Sequence, residues 1–183
     1  MFKRYRSIWR HWLPVEIIIV LILLLAASFY ALRWYNYRAQ TENLREQAQG
    51  VIDYLNLAQN YAANPQAHSL SGRGQAFSGW GLYLTKGDNH GNYSFFGNLD
   101  GQTVTNASST RILINADLGE AVKFAGFTYL RDTDQNIVLF YSVQNHQFYV
   151  DGQIATKPVV ITLSQGQYSR QILVDQSGEV SLK

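Results

Sequence analysis

The sequence predicts an α+β fold: a long N-terminal helix, transmembrane in its first half and amphipathic in its second, packed on an antiparallel β-sheet or sandwich. Three observations carry this expectation. The apolar run from Leu13 to Leu32 is about twenty residues, enough to cross a bilayer as a helix. From Arg33 to Ala63 there is no proline and no glycine except Gly50, while Leu44, Val51, Leu55, Ala58 and Ala62 recur at helical spacing. After Pro65 the chain breaks into short apolar or alternating runs separated by turn residues, the texture of an antiparallel β body.

The N-terminal element begins with a basic leader, MFKRYRSIWRH, in which Lys3, Arg4, Arg6 and Arg10 precede the apolar run. Short basic flanks stay on the cytoplasmic side, so residues before Leu13 are expected inside and everything after Leu32 outside. A cleaved secretory signal is the competing reading, with Ala26 and Ser28 as small residues near a cleavage site. The apolar run is longer than a usual signal core, and helical periodicity continues beyond it. One carboxylate, Glu16, lies at the leading edge of the run. Burying it in a bilayer is costly, and the partial positive charge of a helix N-terminus favours an anion there.

The second half of the helix carries its apolar stripe between Glu42, Arg45, Glu46, Gln47 and Asp53, which read as a solvated face. Asn64-Pro65 ends it, because the residue before proline is pushed out of the helical region. A polar, Gly-rich loop, HSLSGRGQAFSG, leads into the runs WGLYLT, YSFF, RILIN, NIVLFYSV, HQFYV, PVVITL, RQILV and EVSL. Their connectors are GDNHGN, LDGQ, VDGQ and DQSG; HQFYV-DG-QIA is the clearest hairpin, since Asp-Gly suits a two-residue turn. The stretch Asn115 to Phe127 is ambiguous, with a strand expected at Ala121 to Phe124. The resulting organisation is leader 1–11, transmembrane helix 12–34, amphipathic continuation 35–64 and exported β-rich domain 65–183.

Composition narrows the function classes. With no cysteine, neither a disulfide frame nor a thiolate metal site can form. The leader holds four of the fifteen basic residues, leaving eleven against thirteen acidic ones in the rest, near −2. Bulk charge therefore argues against nucleic-acid binding. His11, His68, His90 and His146 show no metal-ligand spacing. Asp132, Asp134 and Asn136 imitate the opening of a calcium loop whose glycine and closing glutamate are missing, and read as a polar turn. Asn92-Tyr93-Ser94 and Asn106-Ala107-Ser108 match short glycosylation patterns. Gly72-Arg73-Gly74 lacks the lysine of a phosphate loop, and no nucleophile-elbow pattern occurs. No catalytic, cofactor-binding or metal residue is expected, and no small-molecule substrate.

The order of basic leader, apolar helix with an early glutamate, amphipathic continuation and β body resembles a type IV pilin or type II secretion pseudopilin. WLPVEIIIVLILLLA is similar to the family's N-terminal signature of an aromatic, a few apolar residues, a glutamate and an apolar run. NLAQNYA, GWGLYL and the closing RQILVDQSGEVSL resemble the GspH/FimT group of minor pseudopilins. The resemblance implies a structural, non-enzymatic subunit anchored once in the inner membrane, N-terminus inside and β domain outside. It implies no cofactor. Its partners would be like subunits and other pilins or pseudopilins, met through the N-terminal helix, and the inner-membrane assembly machinery.

By the same resemblance Glu16 is the assembly residue, neutralising the freed and methylated N-terminal amine of a neighbouring subunit that begins at Trp12. A buried carboxylate and a buried ammonium each cost several kcal/mol alone, roughly, and pairing offsets much of that. One departure stands out. The family's peptidase cuts after glycine, whereas His11 occupies that place and the first glycine in the chain is Gly50. The junction His11–Trp12 is therefore expected to resist processing. The alternative function is an uncleaved, single-pass anchored β domain that binds an extracytoplasmic ligand or envelope partner.

Overall fold

The computed structural model describes residues 6–65, 77–87, 91–99, 110–119, 121–129 and 135–183, without the side chains of residues 6–14, 110 and 111. The expected α+β architecture is present. One helix, α1, runs unbroken through Arg6–Ala63. It ends where the sequence says it must: the Asn64 amide still donates to the Asn60 carbonyl at 3.0 Å, and Pro65 then supplies no donor. The chain divides into two compact units, 1–41 and 42–183, with α1 contributing to both. The helical backbone thus begins within the segment read as a leader, and residues 42–63 belong to the same unit as the strands.

In the second unit, ten strands follow in chain order: β1 Gly79–Thr85, β2 Asn92–Asn98, β3 Thr110–Asp117, β4 Lys123–Thr128, β5 Asn136–Ser142, β6 Phe148–Val150, β7 Gln153–Ile154, β8 Val159–Gln165, β9 Tyr168–Val174 and β10 Val180–Leu182. They form two sheets, one in the order β3-β2-β1-β5-β6-β7 and one in the order β10-β9-β8-β4. All the ladders are antiparallel.

The apolar stripe of α1 is buried as its spacing requires. Leu44, Ala48, Val51, Leu55 and Ala58 join Leu82, Leu84 and Leu139 of the larger sheet and Val159, Ile161, Leu163 and Ile172 of the smaller one in a single core. Aromatic rings stitch the helix to the larger sheet: Tyr61 meets Trp80 edge-on at 4.9 Å between centroids, and Tyr54 meets Tyr93 at 5.5 Å. Burial raises the pKa of Tyr93, helped by the neighbouring Tyr54, Asp117 and Asp53. Gly50 lies mid-helix beside this seam; a Cβ there would sit 3.7 Å from the Tyr93 hydroxyl, an ordinary contact.

The smaller sheet shows the alternation of a half-buried sheet, with Val159, Ile161 and Leu163 of β8 buried between less buried neighbours. The larger sheet does not. Every residue of β5 after Asn136 is buried, because a second cluster, Phe96, Val138, Phe140 and Tyr149 with Tyr83 packed against it, covers its other face. The two glycines of β1 make room for it. A Cβ on Gly79 would fall on the Phe140 ring, and one on Gly81 would lie 2.3 Å from the Leu139 carbonyl oxygen and 2.8 Å from Phe96.

The turns explain the register. Asp151 and Gly152 both take positive φ (50° and 80°), the backbone of the two-residue hairpin expected at VDGQ. Asp151 also locks the preceding hairpin: its carboxylate accepts from the Val138 amide at 2.8 Å, and its own amide donates to the Val138 carbonyl at 2.9 Å. Gly166, at φ 59°, closes β8 onto β9. In DQSG the Asp175 carboxylate accepts from the Ser177 hydroxyl at 2.6 Å and from the amides of Ser177 and Glu179. Behind that turn the buried Tyr141 hydroxyl donates to the Gly178 carbonyl at 2.7 Å.

One strand expectation needs correction. Ala121 has φ 72° and sits in a turn closed by the Val122 amide donating to Gly119, so it is not in a strand. Residues 115–117 belong to β3, and β4 starts only at Lys123. The edge strand β3 carries an extra residue: Phe95 faces Ile114 and Phe96 faces Ile112, leaving Leu113 bulged between them.

Candidate functional site

The feature that singles out this molecule is the stretch of α1 from Val15 onward. It contains a window of mean hydropathy 2.7, none of which is buried, so by length and composition it can cross a membrane. Its large aliphatic side chains are more than half exposed, from Ile19 at 52% to Leu25 at 70%. In water such a surface would be far larger than a soluble monomer tolerates. Leucine and isoleucine with no interrupting glycine or proline keep the helix continuous here, and Ser28 returns its hydroxyl to the Leu24 carbonyl at 2.8 Å instead of breaking it.

Glu16 lies on this helix, exposed, one turn from the start of the apolar run. His11 and Trp12 lie on the same helix, five and four residues nearer the N-terminus than Glu16, where only the backbone is described. The three residues singled out in the sequence therefore share one short helical segment. At the other end of the apolar run the helix carries Phe29, Tyr30, Trp34, Tyr35 and Tyr37, all between 48% and 79% exposed. Arg38 stacks over the Trp34 ring with its guanidinium carbon 4.2 Å from the centroid. Five rings in nine residues are the sequence signal for this cluster, which helical periodicity alone does not set apart.

The remaining candidates do not converge. His146 is an exposed turn residue with φ 54°. Asn92, with its amide nitrogen turned toward Asp117, donates to that carboxylate at 2.6 Å from the start of β2. Asn136 opens β5. His68, His90, Asp132, Asp134, the Asn106-Ala107-Ser108 pattern and Gly72-Arg73-Gly74 lie outside the described residues. Among the described residues no group of three or more His, Asp or Glu side chains is placed to hold a metal ion. No family model, curated protein or solved structure matches the chain.

Proposed function

We propose that this chain is a pilin-like structural subunit of a type IV pilus or type II secretion pseudopilus. Its work is assembly through the N-terminal helix, without catalysis. The observation that carries the reading is a single continuous helix whose first part is apolar and unburied and whose last turns pack into a β body. Such a helix has two environments that satisfy it in turn: the bilayer, and a bundle of like helices. One exposed carboxylate at the head of an otherwise apolar surface suits the second, because it recovers its desolvation cost only when a neighbour presents a cation.

In this reading the N-terminus lies in the cytoplasm and the β domain outside the inner membrane. The helix meets like subunits, other pilins or pseudopilins and the membrane-embedded assembly machinery. In chains cut before Trp12, Glu16 pairs with the free amine of a neighbouring subunit. The test is crosslinking in membranes. Glu16→Ala should leave insertion intact and abolish the higher crosslinked species. Glu16→Gln should do nearly the same, since it keeps the shape and removes the charge. Unchanged ladders in both variants would reduce Glu16 to an interfacial acid and remove the basis of the reading.

A further inference from the structure

We propose that residues 29–38 of α1 form an aromatic–arginine girdle that seats in the phosphate layer of a phospholipid bilayer and sets the depth of the helix. The inference rests on the reading of α1 as a membrane helix and goes beyond it by naming the contact that holds the helix in register.

The distribution of the side chains points to lipid and not to a protein groove. Projected at about 100° per residue, Phe29, Arg33, Tyr37, Tyr30, Trp34, Arg38 and Tyr35 follow one another around roughly two-thirds of the circumference. A stripe that docks on a protein covers about 100° of a helix. A belt facing most directions fits an environment that surrounds the helix, and exposed rings with polar tips fit the boundary between hydrocarbon and water. The belt is tall enough to span that boundary: residues 29–38 rise about 13–14 Å, against a headgroup region of about 5–8 Å on each side of the core, so its first rings reach the edge of the hydrocarbon.

Charge fits the same partner. Between Glu16 and Glu42 the only charged residues are Arg33 and Arg38. Guanidinium groups bind phosphate through paired hydrogen bonds. Arg38, stacked on Trp34, holds its charge at the level of the rings. The placement has a consequence for the other end. Measured back from Arg33, a hydrocarbon core of about 30 Å is filled by about twenty residues and ends near Leu13. Glu16 then lies about 5 Å inside the opposite boundary, close enough to reach headgroups before assembly and deep enough to meet a neighbouring helix.

The absence of cysteine allows a direct test on the full chain. Leu25→Cys, Leu32→Cys, Asn36→Cys and Gln40→Cys each carry one spin label in vesicles of phosphatidylcholine and phosphatidylglycerol. Collision with oxygen reports the hydrocarbon, and collision with a water-soluble nickel complex reports water. Labels at positions 25 and 32 should favour oxygen and the label at 40 nickel, with the crossing between 32 and 40. Adding Arg33→Leu, Trp34→Leu and Arg38→Leu should move the crossing toward or past position 40, by about one turn. In vesicles of uncharged galactolipid, which carry no phosphate, the crossing of the chain with the girdle intact should shift the other way, toward position 32, as the still-charged guanidiniums withdraw toward water. An unmoved crossing in either arm, with position 25 still protected, overturns the girdle alone. Nickel access at all four positions overturns the membrane reading along with it.

Discussion

Tyr141→Phe should remove a single buried hydrogen bond from the β body while leaving its ring packing in place. The hydroxyl donates to the Gly178 carbonyl at 2.7 Å, and both residues are buried. The ring also fills the space over Gly178, where a Cβ would come within 2.3 Å of it, so water has no room to replace the lost donor. The expected destabilisation is the bond itself plus a carbonyl left dry, about 1–3 kcal/mol. In a fragment spanning residues 35–183 each kcal/mol lowers Tm by about 2–4 °C. Urea and thermal unfolding followed by circular dichroism would measure it.

The same site gives a pH signature. Burial, and secondarily the nearby Asp175, hold the Tyr141 pKa well above the ordinary phenol value. Folding therefore favours the neutral phenol. Its contribution is complete below pH about 10 and is lost as pH rises beyond that. Tyr141→Phe should lack this part of the alkaline loss. A variant as stable as the wild type at pH 7, with an identical alkaline limb, would refute the assignment of the hydroxyl as a buried clasp on the last turn.

Other expectations follow from the same contacts. Gly50→Ala should stabilise the chain by about 0.5–1 kcal/mol, since the helix gains propensity and the new methyl makes only ordinary contact with Tyr93; a loss of stability would show that the seam is tighter than its geometry. Gly81→Ala should cost about 1–3 kcal/mol or more, because its Cβ meets the Leu139 backbone, which cannot swing aside, and denaturant midpoints would report it. The fragment 35–183 should be soluble and unfold cooperatively, whereas removing residues 44–62 should expose the core and cause aggregation; a monomeric, cooperative β domain without that segment would contradict the helix packing. Intact mass of membrane-extracted protein should show residues 1–11 retained in much of the protein, with His11→Gly becoming a good substrate when a prepilin peptidase is supplied. A native chain starting at Trp12 would overturn the expectation about His11 and strengthen the pilin reading.

Much of the fold could be read from local signals. The stripe Leu44–Ala62 is periodic because one face is buried, and Asn64-Pro65 stops the helix by backbone geometry alone. Asp151-Gly152 declares its turn because few residue pairs accept two consecutive positive φ values. What escaped was non-local. β4 leaves its sequence neighbours to pair with β8, while β5 returns beside β1, and nothing in a single strand records its partner. The burial of both faces of β5 depends on the glycines of β1, with three strands between the two in sequence. At the candidate site, Glu16 is legible because a carboxylate in an apolar run is conspicuous. The aromatic cluster at residues 29–37 was not singled out, because each ring alone is unremarkable in a helix and only their joint exposure sets them apart.

The bulge at Leu113 interrupts the open margin of the larger sheet. β3 ends the larger sheet with Ile112, Leu113 and Ile114 39–47% exposed, a sticky margin that invites an unrelated strand to add itself. The extra residue throws the two halves of β3 out of phase: Ile112 aligns with Phe96 on one face, Ile114 with Phe95 on the other. An incoming straight strand can match one half of that margin or the other, never both, so it finds about four residues of ladder where a flat edge would offer eight. The irregularity thus shortens the ladder that this margin can offer to a further strand.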